Sequence, residues 1–213
     1  MVKLSPSSLN LYLECPRCFW LYINKKIKRP EKPVATITTG IDRIIKEHFE
    51  LYRKKNIIPP ILEGKVPGRL IADLPKNGWL EYINEEFDAK LGGFLDECLQ
   101  LKDGVYAPLD HKTRGTRPEE THPAHKFQMD VYTFLLEVNG FPTEEMGYLV
   151  YYIPKSFGSK GMIEVEIMVS CIKTDPKFAK ETFYQALQVL SKPIPSRNKN
   201  CDFCKWTETI DIK

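Results

Sequence analysis

Three side chains have the types and spacing to hydrolyse a phosphodiester: Asp96, Asp110 and Lys112. That reaction needs a polarised phosphorus, a deprotonated water and a stabilised leaving oxygen. One or two divalent cations held by carboxylates supply all three. Magnesium takes hard oxygen ligands and keeps several waters, so two acidic side chains suffice to anchor it. Tyr106 to Lys112 alternates like a strand, which puts Asp110 and Lys112 on one face and Leu109 and His111 on the other. The amine of Lys112 would orient the attacking water, help deprotonate it, or balance charge developing on the phosphate. The His111 side chain points away, and its backbone carbonyl is the part that could reach the cation.

These groups need elements to hold them. Leu91 to Leu101 reads as one strand carrying Asp96, and Asp103-Gly104 as a hairpin turn into the strand of Asp110. The hairpin brings the two acids alongside each other, and Gly92-Gly93 fits a bulge or a close backbone approach. A helix opens at Pro123 and stops at Asn139-Gly140. Its apolar stripe is Phe127, Val131, Phe134, Leu135 and Val138. Gln128 and Tyr132, four apart, share a face at the stripe's edge, turned toward the catalytic strands.

Asp96, Asp110-x-Lys112 and Gln128-x-x-x-Tyr132, in that order, resemble the PD-(D/E)XK nuclease superfamily, and the Gln-x-x-x-Tyr pair resembles its RecB-like branch. The resemblance implies an α/β fold with a restriction-endonuclease-like core, a central mixed sheet flanked by helices. It implies metal ligation by Asp96 and Asp110, a catalytic Lys112, and Gln128 and Tyr132 positioning the lysine or the DNA. The activity implied is that of a Mg2+- or Mn2+-dependent deoxyribonuclease, similar to the CRISPR-adaptation exonucleases. Its partner would be DNA, as duplex ends or single strands, with a larger DNA-processing complex as a further candidate. Family members often carry a metal-binding histidine soon after a glycine. Here Ile44 stands four residues past Gly40, and the nearby histidine is His48. Asp42, Lys46 or His48 could face the site, with Asp42 and Lys46 on the side of Arg53. The rival reading is a DNA-binding or assembly module with the same fold and no turnover. A bare Asp-x-Lys is common on exposed strands, and only the ordered set points to a nuclease.

Six cysteines in a chain with no secretory signal argue against a disulfide framework. Cys98 and Cys171 sit alone in strand-like runs, where packing is the expected role. Cys15-x-x-Cys18 and Cys201-x-x-Cys204 lie at opposite ends and suggest one four-thiolate centre, holding zinc or an iron–sulfur cluster. The family resemblance implies a [4Fe–4S] cluster clamping the termini, with one N-terminal and three C-terminal cysteines as the usual pattern. Two plus two departs from it and leaves [2Fe–2S] or Zn2+ open. Residues 1–30 and 193–213 would form the clasp of one nuclease domain spanning 1–213. Joining the ends closes a long loop and restrains the unfolded chain.

The length, 213 residues with 42% hydrophobic content, suits one compact domain. A net charge of +3 is too small to mark a nucleic-acid binder by itself, so DNA contact would be local. Arg114 and Arg117, in the loop after Lys112, and Tyr132 are the candidates, with Lys25, Lys26, Lys28 and Arg29 as a second basic run. No signal peptide or membrane-spanning run is present, which makes a cytoplasmic protein the expectation. A helix from Thr39-Gly40 to Arg53 should bury Ile41, Ile44, Ile45, Phe49 and Tyr52. Pro30 to Pro33, and Pro59 to Pro75, read as irregular. Glu85 and Glu86 fall in the strand entering the hairpin. Gly147 to Ile153 reads as a central strand and Ile163 to Cys171 as a one-faced strand. Asp175-Pro176 caps a last helix with Phe178, Ala179, Phe183, Ala186, Leu187 and Leu190 inside.

Overall fold

The hairpin across Asp103-Gly104 forms, and the sheet is built outward from it. A computed structural model of the chain describes residues 1–30, 36–72, 74 and 78–210. Pro33 and Pro75, expected in irregular segments, lie outside them. In chain order the elements are β1 (Val2–Leu4), α1 (Pro6–Glu14), α2 (Pro16–Lys25), α3 (Thr36–Arg53), β2 (Arg69–Leu70), β3 (Trp79–Asn84) and β4 (Ala89–Phe94). There follow β5 (Glu97–Gln100), β6 (Tyr106–Thr113), α4 (Pro123–Val138), β7 (Met146–Phe157), β8 (Ile163–Lys173), α5 (Pro176–Leu190) and α6 (Asp202–Ile210).

Five strands form a mixed sheet in the order β2-β5-β6-β7-β8, with β6 and β7 parallel and the other neighbours antiparallel. β1, β4 and β3 form a smaller sheet beside it. This is the expected mixed α/β architecture with helices on both faces. One apolar core packs α1, α4 and α5 against one face, with Leu9, Leu135, Leu149, Tyr151 and Phe183 at its centre. A second packs Ile45 and Phe49 of α3 against Leu99, Leu109 and Val150 on the other face.

Local signals account for most helix starts. Ser5 caps α1 reciprocally with Ser8, and Pro6 opens it. Such a cap contributes about 1 kcal/mol. Asp175 caps α5 by accepting from the Phe178 N–H, as its position before Pro176 predicts.

The structure corrects several expectations. Leu91 to Leu101 is two strands: the chain leaves the small sheet after Phe94, turns at Leu95-Asp96 and enters the large sheet at Glu97. Asp96 therefore sits at a corner between sheets. Glu85 and Glu86 lie in the turn between β3 and β4, because strand pairing ends at Asn84. Ile44 and Val138 are exposed, since each falls outside the arc of its helix that meets a sheet. Cys171 is exposed on the edge strand β8, while its neighbour Ile172 points into the core. Helix α4 is buried nearly all round from Met129 to Leu136, because α1, α5 and both sheets surround it. The helix α2 follows from Pro16 at its first turn and Cys15 as its cap, a residue outside the usual capping set.

Candidate active site and metal centre

Gln128 is the hub of the site. Its side-chain amide donates to Oδ1 of Asp110 at 3.2 Å and meets the Tyr132 hydroxyl at 2.9 Å, while its carbonyl oxygen accepts from the Lys112 ammonium at 2.9 Å. Strand alternation puts Asp110 and Lys112 on the α4 side of β6, and one helical turn stacks Gln128 and Tyr132 above them. Lys112 Nζ also lies 2.5 Å from Asp110 Oδ2. That close charged contact is the partner of an oxygen that is otherwise buried without a hydrogen bond among the described residues.

Asp96 reaches the site from the corner. Its Oδ2 accepts from the backbone N–H of His111 at 3.2 Å, which ties it to the strand carrying Asp110. Its Oδ1 lies 2.9 Å from Lys46, and Lys46 lies 3.0 Å from Asp42, both on α3. Arg53, seven residues along α3, donates to the Asp96 carbonyl and to the buried Glu97 carboxylate, each at 3.0 Å.

The electrostatics follow from burial. Asp110 is 3% exposed, and desolvation drives its carboxyl pKa upward against the pull of Lys112, with Asp96 adding to the rise. Burial lowers the Lys46 ammonium, but Asp96 and Asp42 more than offset this and hold it above its usual value. Desolvation likewise raises the Tyr132 phenol, so it stays protonated. A hard cation fits here. Asp110 Oδ2 is a buried oxygen held by the Lys112 ammonium and, among the described residues, by no further donor, and Asp96 lies close enough to bear on the Asp110 charge. Both are oxygen donors of the kind magnesium and manganese take.

His111 turns its ring to the α3 side, bonds Tyr152 through Nδ1 at 3.0 Å and packs on Phe49. Its side chain is thus apart from Asp110, as alternation predicts. His48 is exposed and packs its ring near Tyr52, at 5.1 Å between centroids. Two residues on from Lys46, it points around the helix from Asp96, so Lys46 takes the place proposed for a histidine ligand. Arg114 is half-buried in the loop beyond β6, where its charge bears on His125. Arg117 is exposed and paired with Glu166 of β8.

Two grooves meet at Phe94, which is 53% exposed. One, of about 680 Å3, runs past Asp42, Lys46, Arg53 and Asp96. The other, of about 440 Å3, is lined by Trp79, Lys112, His125, Gln128 and Tyr132. A Cβ on Gly93 would come within 2.8 Å of the Tyr132 ring, so the bare backbone there is what lets Tyr132 reach Gln128. His125 and Glu97 carried no signal in the sequence beyond being polar residues near the motif.

Where the two ends of the chain meet, Cys15, Cys18, Cys201 and Cys204 bring their sulfurs within 4.8 Å of one another. All four are largely buried. Burial pushes the Cys18 thiol up to about 12. Burial also works against ionising Cys201, but hydrogen bonds from the Cys204 backbone, the Cys18 and Cys15 thiols and the Phe203 backbone bring it down to about 7. Arg29, read from sequence as a DNA contact, instead donates to Cys201 Sγ at 3.4 Å and pairs with Glu14. Arg17, Trp20 and Asn24 of α2 donate to the carbonyls of Pro195, Lys192 and Leu190, stitching the two ends together.

Among the described residues no helix is long and apolar enough to cross a membrane. A sequence model of the PD-(D/E)XK nuclease superfamily matches residues 68–209. That span contains Asp96, Asp110, Lys112, Gln128 and Tyr132, with Cys201 and Cys204. The solved structure titled "Crystal structure of SSO0001" is similar over 98% of this chain and 85% of that one, at 15% identity and a TM-score of 0.47.

Proposed function

Since the chain belongs to the PD-(D/E)XK nuclease superfamily, we propose that it is a Mg2+- or Mn2+-dependent deoxyribonuclease whose reacting groups are Asp96, Asp110 and Lys112. The observation that carries this reading is the single network in which Gln128 joins Asp110, Lys112 and Tyr132. Asp96 and Asp110 would hold the cation, with the His111 carbonyl as a third oxygen. When bound, the cation polarises the phosphorus, acidifies water and stabilises the leaving oxygen.

The protein groups do the rest. Water adds to phosphorus, the ester P–O bond breaks, one fragment keeps the phosphate and the other leaves with a hydroxyl. Lys112 carries a fixed positive charge beside Asp110, where it neutralises the charge that grows on the phosphate oxygens. Gln128 fixes the direction of both side chains, so little reorganisation is left for the reaction. Arg114, beyond the end of β6, supplies a guanidinium for an adjacent phosphate. The aromatic groups Trp79 and Phe94 along the grooves suit bases of an unpaired strand, which supports action on DNA ends or single strands.

The RecB-like branch, and within it likeness to CRISPR-adaptation exonucleases working in a larger complex, is supported by the Gln128–Tyr132 pair and the joined termini. Residues 1–30 and 193–213, of which 211–213 lie outside the described residues, would act as a clasp over one nuclease domain. An iron–sulfur cluster is the occupant the resemblance brings with it, and zinc is the other that thiolates take.

The test is cleavage of end-labelled single- and double-stranded DNA across a Mg2+ and Mn2+ titration. Asp110→Asn and Lys112→Ala should each lose about 10²- to 10³-fold in rate, as loss of electrostatic groups at a reacting centre does, while still binding DNA in Ca2+. Metal-independent cleavage, or cleavage surviving both substitutions, would remove the assignment.

A further inference from the structure

The thiolate centre supports an inference that is independent of the catalytic reading. Cys15 and Cys204 place their sulfurs 3.6 Å apart, Cys18 and Cys201 3.7 Å apart, and the whole quartet lies within 4.8 Å. A tetrahedral ion with Zn–S bonds of about 2.3 Å spaces its sulfurs by about 3.8 Å. In an iron–sulfur cluster the cysteines are shared among several irons with sulfides between them. Sulfurs on different irons then stand much further apart than sulfurs on one ion. The interior of this quartet suits one ion and leaves no room for bridging sulfides.

The surroundings agree. The Cys18 N–H donates back to Cys15 Sγ at 3.5 Å, which turns the first pair inward. Arg29 donates to Cys201 Sγ at 3.4 Å while its guanidinium packs over Phe203, 4.7 Å from the ring centre. One divalent ion with four thiolates is a dianion, and burying it calls for a compensating charge. Arg29, 20% exposed on its side chain, is in place to supply it.

We infer that Cys15, Cys18, Cys201 and Cys204 hold a single tetrahedral zinc ion rather than an iron–sulfur cluster, with Arg29 as its charge-compensating positioning residue. Zinc has no redox chemistry, so the centre is a structural fastener for the two chain ends.

The test is metal and sulfide analysis of the full chain, isolated anaerobically from iron-replete cells. The expected product is colourless, with about one zinc per chain and no acid-labile sulfide. Exchange with Co2+ should give the intense visible bands of a tetrahedral thiolate site. Apo-protein offered zinc together with ferrous iron and sulfide should take zinc. A brown protein with stoichiometric iron and sulfide, as isolated or after that incubation, overturns the inference, and so does iron alone. Arg29→Met should release zinc to a chelator about tenfold faster, in the range for lost outer-shell partners, with the cobalt spectrum unchanged. Arg29→Lys should recover part of that, and it serves alone if Arg29→Met does not fold. Release rates equal to those of the parent chain in the folded variants overturn the role of Arg29.

Discussion

The ammonium of Lys46 stands 2.9 Å from Oδ1 of Asp96 and 3.0 Å from Oδ2 of Asp42. With Asp110 and Lys112 the site then holds three carboxylates and two ammoniums, a single net negative charge before any cation arrives. A lysine so placed repels a divalent ion and occupies one oxygen of a proposed ligand. Lys46→Met should therefore lower the Mg2+ concentration for half-maximal cleavage by about tenfold, the size of one partly screened unit charge at contact distance. The check is a metal titration of the cleavage rate. An unchanged or higher requirement would mean that Lys46 does not compete for Asp96.

Gln128 and Tyr132 should separate in their effects. Gln128→Leu removes the group that orients both Asp110 and Lys112, and cleavage at saturating metal should fall about 10- to 100-fold, as for other groups that orient a reacting side chain. Tyr132→Phe removes one of the groups bonded to the Gln128 amide and leaves the hub's bonds to Asp110 and Lys112 intact. Its loss should be under about tenfold, in line with a single neutral hydrogen bond. Equal losses in the two variants would show that Tyr132 touches the DNA or the reacting atoms directly.

Residues two apart on a strand and four apart on a helix share a face, which pairs Asp110 with Lys112 and Gln128 with Tyr132; that the two faces meet was implied by the family resemblance and not by periodicity. The corner at Asp96 was not foreseeable in this way. Leu91 to Leu101 carries apolar residues on both sides of Asp96, and pairing with two different sheets is what divides it. Arg29 was misplaced for a similar reason. A basic run reads as solvent-facing until a distant cysteine pair, 172 residues on, supplies an acceptor for it. Cys171 and Ile44 have apolar neighbours at the right spacing, but what covers a face is decided by elements far away in the chain.

His125 lines the groove beside Lys112. Burial, then the positive charges of Lys112, His122 and Arg114, brings its pKa down to about 4 from 6.5. A folded-state value below the unfolded one means that the unfolded chain binds more protons between these two values. The stability from keeping His125 neutral is thus complete above about pH 6.5 and is lost as pH falls through the window toward 4. A ring-proton NMR titration should find the midpoint near 4, and Lys112→Ala should move it upward. His125→Asn should flatten stability against pH over the same range. A midpoint near the ordinary histidine value would contradict the placement of this ring.

Arg53 and Glu97 set the corner that aims Asp96. The Glu97 side chain is fully buried, its Oε1 lies 3.0 Å from Arg53, and its Oε2 has no partner among the described residues. His111 Nε2 stands 4.0 Å from the same Oε1. Removing one member of a buried pair strands the other charge, at a cost of about 3–5 kcal/mol. Arg53→Met should therefore lose that much in denaturant melts, and Glu97→Gln added to it should recover a large part by removing the stranded charge. The Arg53 guanidinium also holds the Asp96 carbonyl. The double variant, though restabilised, should still need more Mg2+ than the parent, since the Asp96 carbonyl in the turn between β4 and β5 has then lost its Arg53 donor. If restoring stability also restores the metal requirement, Arg53 supports the fold alone and Asp96 is aimed by its bond to the His111 N–H.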